Sequence, residues 1–140
     1  MQRTLLTVGL LLILTAAIGC GEKGPGLIPV TGKITYGGGD WPKPGNVNFN
    51  AVEPAEGFSR LNGTAELATD GTFTVKSTGT KMGLVPGKYM VMIECWEEMP
   101  SMETNTAGKS YVPTNFPPQE VVIAIGDKKK EVTFDVPKKG

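Results

Sequence analysis

The sequence contains no histidine, and only two of its 140 residues are cysteine. Without histidine the chain lacks the commonest general base and metal ligand near neutral pH, and no Ser-His or Cys-His catalytic pair is possible. No nucleophile elbow, phosphate-binding loop or paired metal motif appears either. We therefore expect neither enzymatic activity nor a bound cofactor.

Net charge is also absent, because 14 Lys and Arg residues balance 14 Asp and Glu residues. A nucleic-acid-binding protein needs a basic surface that releases counterions from the phosphates. We therefore expect no nucleic-acid partner.

One long apolar run is present, and it lies near the N-terminus. Met1-Gln2-Arg3 gives a short positive start, and the segment Leu5–Ile18 that follows is almost wholly apolar. This run is shorter than the roughly 20 residues that span a bilayer as a helix, whereas its position after a positive start is typical of a secretory signal peptide. We expect residues 1–19 to form a signal helix and the remainder to be extracytoplasmic.

The end of this run, Ala17-Ile18-Gly19-Cys20, resembles a bacterial lipobox. The resemblance implies that Cys20 is acylated on sulfur and becomes the new N-terminus, so that lipid chains hold the protein on the cell membrane or outer membrane. Residues 20–29 would then be the lipidated cysteine and a tether with a reach of at most roughly 30 Å. The alternative is an ordinary signal peptide, or a short uncleaved anchor, with an incidental cysteine.

Residues 30–137 are rich in glycine and proline, and their apolar residues recur at every second position. This alternation is typical of half-buried strands, and Asp70-Gly71 is a strong signal for a β-hairpin turn. The pattern predicts one all-β domain, an antiparallel sandwich of about seven strands. The predicted strands are Val30–Tyr36, Asn46–Ala51, Arg60–Thr69, Thr72–Lys76, Lys88–Trp96, Glu120–Ile125 and Glu131–Val136.

Several of these stretches resemble the small lipoproteins common in planctomycete-type bacteria, whose domain is a transthyretin-like, carboxypeptidase-regulatory-like β-sandwich. The resemblance covers about residues 30 to 136 and implies an Ig-like or transthyretin-like Greek-key fold. Its motifs are turns and strands, so it implies no catalytic residue. The stretches are Val30-Thr31-Gly32-Lys33-Ile34-Thr35-Tyr36, Thr69-Asp70-Gly71-Thr72-Phe73, Leu84-Val85-Pro86-Gly87-Lys88-Tyr89-Met90-Val91 and Val112-Pro113-Thr114-Asn115-Phe116.

Two loops carry aromatic residues that are candidates for binding. The proline-rich segment Trp96–Gln119 contains Trp96, Tyr111 and Phe116, and an earlier loop contains Trp41 beside two prolines. Exposed aromatic rings in long loops would stack on a sugar or on another protein. Alternatively, Tyr111 and Phe116 close one end of the sandwich, and the same two interpretations apply to Trp41.

Four methionines, Met90, Met92, Met99 and Met102, lie close together in the sequence. Clustered thioethers suit Cu(I), so these residues are a candidate metal site. The alternative is that methionine fills irregular gaps beneath the long loop.

The second cysteine, Cys95, is in phase with Tyr89, Val91 and Ile93, which predicts a buried and inert thiol. Two lysine runs, Lys128-Lys129-Lys130 and Lys138-Lys139, are most simply solvated charges, although they could touch anionic head groups. The sequence as a whole predicts a lipid-anchored extracytoplasmic β-sandwich lipoprotein with a structural or binding role toward an envelope protein or glycan. The alternative is a carrier of a small ligand or of copper on the cell envelope.

Overall fold

A computed structural model describes residues 26–77 and 80–140. Within these residues the chain is all β and contains no helix, which confirms the fold class that the alternating pattern predicts. In the same part of the chain there is no helix long and apolar enough to cross a membrane. The expected signal peptide and Cys20 lie outside the described residues.

The strands belong to three sheets. A three-stranded sheet has the order β10-β1-β4, a five-stranded sheet has the order β5-β3-β2-β6-β9, and β7 pairs with β8 alone. The strands are β1 Val30–Tyr36, β2 Gly45–Pro54, β3 Gly63–Leu67, β4 Thr72–Thr74, β5 Lys76–Ser77, β6 Gly87–Glu94, β7 Trp96–Glu98, β8 Lys109–Ser110, β9 Gln119–Ile123 and β10 Lys130–Val136.

The two larger sheets share one hydrophobic core. Phe49 on β2 and Phe73 on β4 meet across it with their ring centroids 6.2 Å apart. Val30 and Ile34 on β1 and Val136 on β10 are fully buried in the same cluster. Because side chains alternate between the faces of a strand, the polar residues between these positions face outwards. The predicted inward residues of β1, β2 and β10 are therefore largely confirmed.

The Asp70-Gly71 turn forms, and the Ala68 backbone N–H donates to the Thr72 carbonyl across it at 2.9 Å. The Asp70 carboxylate accepts hydrogen bonds from the Thr72 backbone N–H at 3.0 Å and the Thr72 hydroxyl at 2.6 Å. The strand before the turn, β3, belongs to the five-stranded sheet, whereas β4 after it belongs to the three-stranded sheet. The prediction of a hairpin is confirmed in part: β5 pairs antiparallel with β3, whereas β4, which lies between the turn and β5, pairs with β1 in the other sheet.

The predicted strand Thr72–Lys76 is two strands in different sheets. Its first part, β4, pairs with β1, and its continuation, β5, pairs with β3. The chain changes sheets at Val75, whose backbone N–H donates to the Val30 carbonyl at 2.9 Å. An uninterrupted alternation of side chains does not reveal such a change, because both halves bury the same face.

The first and last strands, β1 and β10, run parallel. Their register extends from Val30 opposite Lys130 to Tyr36 opposite Val136. The prediction of a purely antiparallel arrangement is wrong for this pair. Side chains alternate with the same period in parallel and antiparallel strands, so the sequence pattern cannot distinguish them.

The predicted strand Lys88–Trp96 is interrupted at Cys95. The Cys95 carbonyl accepts hydrogen bonds from the Tyr111 backbone N–H at 2.9 Å and the Ser110 hydroxyl at 3.1 Å. The pairing of β6 with β2 ends one residue earlier, at Glu94 opposite Asn46. Trp96 then begins β7, which pairs with β8. The segment from Glu97 to Gln119, which shows no period in the sequence, thus contains most of a small two-stranded sheet.

Candidate binding surface

Aromatic side chains converge at the end of the domain where β1 finishes. Val30 starts β1 and Tyr36 ends it, so the two lie roughly 20 Å apart along the strand. Around Tyr36, β7 continues from the last residues of β6, and Pro113–Asn115 lie beside Pro137–Gly140. We call this region the far end, because it is opposite the first described residues.

Tyr36 is the centre of an edge-to-face arrangement of three rings. Its centroid lies 6.1 Å from the Trp41 ring at an interplanar angle of 82°, and 6.0 Å from the Tyr111 ring at 83°. Such pairs contribute about 0.5–1.5 kcal/mol each beyond their buried area. The three rings thus connect strand β1, the loop that follows it and the loop after β8.

Of the two interpretations of Trp41, the structure supports the buried one. Only 3% of this residue is exposed, so its ring offers no open face to a ligand. Gly71 permits this burial, because a Cβ atom there would lie 3.1 Å from the Trp41 Cβ atom and would also meet the Ile34 carbonyl. Trp41 is therefore a core residue that supports the surface rather than part of the surface.

The indole nitrogen of Trp41 has no hydrogen-bond partner among the described residues. Leaving a buried donor unpaired costs about 1–3 kcal/mol. The far end therefore includes one unfavourable contribution beside its favourable ring contacts.

Lys43 connects the loop around Trp41 to the small sheet. Its Nζ atom donates to the Glu97 carbonyl at 3.2 Å and lies 5.9 Å from the centroid of the Tyr111 ring. A cation at this distance from an aromatic ring is attracted by about 0.5–1 kcal/mol at an exposed site. The ammonium group and the phenol ring thereby hold one another in place at the far end.

Tyr111, Phe116 and Trp96 are half-buried. Tyr111 and Phe116 pack against the core, so they close the end of the domain while part of each ring reaches the surface. Trp96 lies on β7 opposite Ser110, the residue next to Tyr111. We name Tyr36, Lys43, Trp96, Tyr111 and Phe116 the far-end surface.

Cys95, the residue after β6, lies beneath this surface and is buried, as its phase with Tyr89, Val91 and Ile93 predicts. Its thiol contacts the Lys43 carbonyl at 3.6 Å. Burial raises the pKa of the Cys95 thiol and outweighs the opposing effect of the nearby Lys43 charge. The group is therefore protonated at neutral pH, and a protonated, buried thiol is a poor nucleophile.

The structure divides the four methionines between two places. Met90 is half-buried and Met92 is 47% exposed, and both lie on the outer face of β6. Met99 and Met102 lie in the loop between β7 and β8, where Met102 is fully exposed. In residues 26–77 and 80–140 no group of three or more His, Cys, Asp or Glu side chains is placed to hold a metal ion.

Two members of the far-end surface were not singled out from the sequence. From the sequence, Tyr36 is predicted only as an inward-facing residue at the end of a strand. Lys43 lies in the loop Asp40–Pro44, whose length and aromatic content are the available signal. Neither residue's contact with Tyr111 follows from a local pattern, because the partners are distant in the sequence.

No family model matches this chain, and no curated protein or solved structure matches it either. The resemblance to planctomycete-type lipoproteins therefore remains a prediction based on the turn and strand motifs.

Proposed function

We propose that this chain is a lipid-anchored extracytoplasmic lipoprotein whose β domain binds a partner and catalyses no reaction. The observation that carries the proposal is the position of the two ends of β1. The chain that follows Cys20 enters the domain beside Val30, whereas the far-end surface surrounds Tyr36 at the opposite end of the same strand. An anchor at Cys20 would leave the far-end surface directed away from the membrane.

We propose further that the domain is a Greek-key sandwich of the Ig-like or transthyretin-like type. Support comes from the core shared by a three-stranded and a five-stranded sheet. The passage of the chain between sheets at Asp70-Gly71 and again at Val75 is consistent with such a topology. The fold supplies a rigid base on which the loops of the far end are held.

The proposed partner is an envelope protein or a glycan. Tyr111 and Trp96 each present part of a ring, and aromatic rings supply large contact areas at a small cost in conformational entropy. Lys43 adds a positive charge beside the Tyr111 ring. A binding role rather than a catalytic one is supported by Cys95, whose buried thiol has a raised pKa.

The anchor is tested by mass spectrometry of the mature N-terminus of the membrane-bound protein. We expect a peptide that begins at Cys20 and carries a diacylglyceryl group. The Cys20→Ser variant has no thiol to acylate at this position. We expect it either to lose its leader and move to the soluble fraction or to keep its apolar leader uncleaved. An unmodified Cys20 in the wild-type chain would contradict the lipid anchor.

The binding surface is tested by glycan arrays and by pull-down from envelope extracts. We expect Tyr111→Ala and Trp96→Ala to weaken binding by about tenfold or more, as central aromatic residues of interfaces do. Met102→Ala is the matched control, because Met102 is fully exposed in the neighbouring loop. Binding that both aromatic variants retain, with a folded domain by circular dichroism, would exclude the far-end surface as the binding site.

A further inference from the structure

The loops beside the start of β1 are rich in lysine. Ile28 pairs with Leu84, and the Pro29 carbonyl accepts a hydrogen bond from the Lys130 backbone N–H at 2.8 Å. The described residues 76–77 and 80–83 belong to one segment and residues 124–131 to another, and both segments therefore adjoin residues 28–30. We call these two segments the basic end. Its lysines are Lys76, Lys81, Lys128, Lys129 and Lys130.

The two acidic residues of the basic end, Asp127 and Glu131, already interact with groups of the same segment. The Asp127 carboxylate accepts a hydrogen bond from the Ala124 backbone N–H at 2.9 Å and so stabilises the turn after β9. The Glu131 carboxylate lies 2.9 Å from the Lys129 ammonium group. Lys81 and Lys128 are exposed. The basic end thus presents a net positive charge to the solvent.

Apolar side chains project from the same two loops. Met82 is 50% exposed and Ile125 is 64% exposed. Exposed apolar side chains next to lysines suit the boundary between lipid head groups and acyl chains, because the apolar groups enter the boundary while the ammonium groups contact anionic head groups. The basic end combines both features.

The opposite end of the domain has the contrary charge in its longest loop. The segment from β7 to β8 carries Glu97, Glu98 and Glu103 against one lysine, Lys109, whose ammonium group lies 3.5 Å from the Glu98 carboxylate. The second lysine run also lies there, because the Lys139 backbone N–H donates to the Tyr36 hydroxyl at 3.3 Å. The fold therefore separates the two lysine runs. Lys128–Lys130 adjoin the start of β1, whereas Lys138–Lys139 lie near its end.

We propose that the basic end docks on anionic phospholipid head groups, with Met82 and Ile125 at the lipid boundary. The inference rests on the proposed function, because the anchor at Cys20 would hold this end within reach of the bilayer. Docking fixes the orientation of the domain, which a flexible tether alone does not. The far-end surface then faces away from the membrane permanently.

The test uses the full chain added to preformed vesicles of phosphatidylglycerol and phosphatidylcholine, or of phosphatidylcholine alone. A membrane-impermeant reagent acetylates accessible lysines, and mass spectrometry compares Lys81 and Lys128 with Lys138 and Lys139 in the same molecules. We expect Lys81 and Lys128 to be protected severalfold on anionic vesicles only. Equal labelling of both groups on anionic vesicles, or no association with them, would overturn the proposal.

Charge-reversal variants of the lysines provide a second test in the same labelling experiment. A lysine near an anionic surface changes partitioning by about fivefold, so the Lys81→Glu/Lys128→Glu variant should dock at least about tenfold more weakly. It should therefore lose the severalfold protection on anionic vesicles, which is measured in this variant at Lys129 and Lys130. The Lys138→Glu/Lys139→Glu variant is the matched control and should keep it. Equal effects of the two variants would contradict docking through the basic end.

The two proposals fail in distinguishable ways. An unmodified Cys20 together with selective protection of Lys81 and Lys128 would contradict the anchor and leave the docking surface standing. An acylated Cys20 with equal labelling of both lysine groups would contradict the docking surface and leave the anchor standing.

Discussion

Replacing Trp41 separates two opposing contributions to the stability of the far end. The ring is buried and meets Tyr36 edge-to-face at 6.1 Å, which is favourable. Its indole N–H is buried without an acceptor among the described residues, which is unfavourable. Trp41→Ala removes both contributions, whereas Trp41→Phe removes the N–H and keeps a ring that can contact Tyr36.

The two variants should differ clearly in the free energy of unfolding. Truncating a buried tryptophan to alanine costs about 3–5 kcal/mol, and removal of the unpaired donor offsets about 1–3 kcal/mol of this, so we expect a net loss of about 2 kcal/mol for Trp41→Ala. For Trp41→Phe the smaller ring leaves a cavity worth about 1–2 kcal/mol, while removal of the unpaired donor recovers about 1–3 kcal/mol. The expected net change therefore lies between a loss of about 1 kcal/mol and a gain of about 2 kcal/mol relative to the wild-type value.

Urea unfolding followed by far-ultraviolet circular dichroism measures both changes, with Met102→Ala as a control at an exposed position. If Trp41→Phe destabilised the protein as much as Trp41→Ala, the indole N–H would have a partner and the reasoning about its cost would be refuted. If neither variant changed the midpoint, Trp41 would not be a core residue.

Three further outcomes follow from burial in the structure. Because Trp41 and Trp96 are the only tryptophans, Trp96→Phe should leave a blue-shifted emission that acrylamide quenches poorly; a red-shifted and easily quenched emission would contradict the burial of Trp41. Burial raises the pKa of Tyr89 to about 12, and its hydroxyl donates to the Val85 carbonyl at 2.8 Å. Since this pKa lies above the ordinary value of about 10, the stabilisation by the neutral phenol is complete below pH ~10 and is lost as the pH rises towards 12. Tyr89→Phe should therefore flatten the alkaline loss of stability in that interval, and an unchanged pH profile would show that Tyr89 does not cause it. Cys95 should react with a maleimide only after denaturation, and rapid labelling of the native chain would contradict its burial.

The alternation of side chains predicted the strands but not their partners. For β1 it gave the observed bounds, Val30–Tyr36, because the period of a strand is a local property of the sequence. The choice of sheet is not local. It depends on which strands can share a core, and so the separation of β4 from β5 at Val75 and the parallel pairing of β1 with β10 did not follow from the pattern.

The candidate site was predictable in its residue types and not in its arrangement. Tyr111 and Phe116 were expected either to bind or to close one end of the domain, and the structure shows partial burial that is compatible with both. Trp41 was ambiguous because its exposure depends on contacts with Tyr36 and on the space beside Gly71. Such contacts join residues that are far apart in the sequence.

The parallel pairing of the two terminal strands has a consequence for the order of events during synthesis. β1 is complete once Tyr36 has left the ribosome, yet its neighbour β10 begins only at Lys130. The three-stranded sheet therefore cannot be completed until β10 has been made, and contacts between such distant segments also form slowly. The export that we propose would benefit from this delay, because the domain stays incomplete until β10 has passed through the secretion channel.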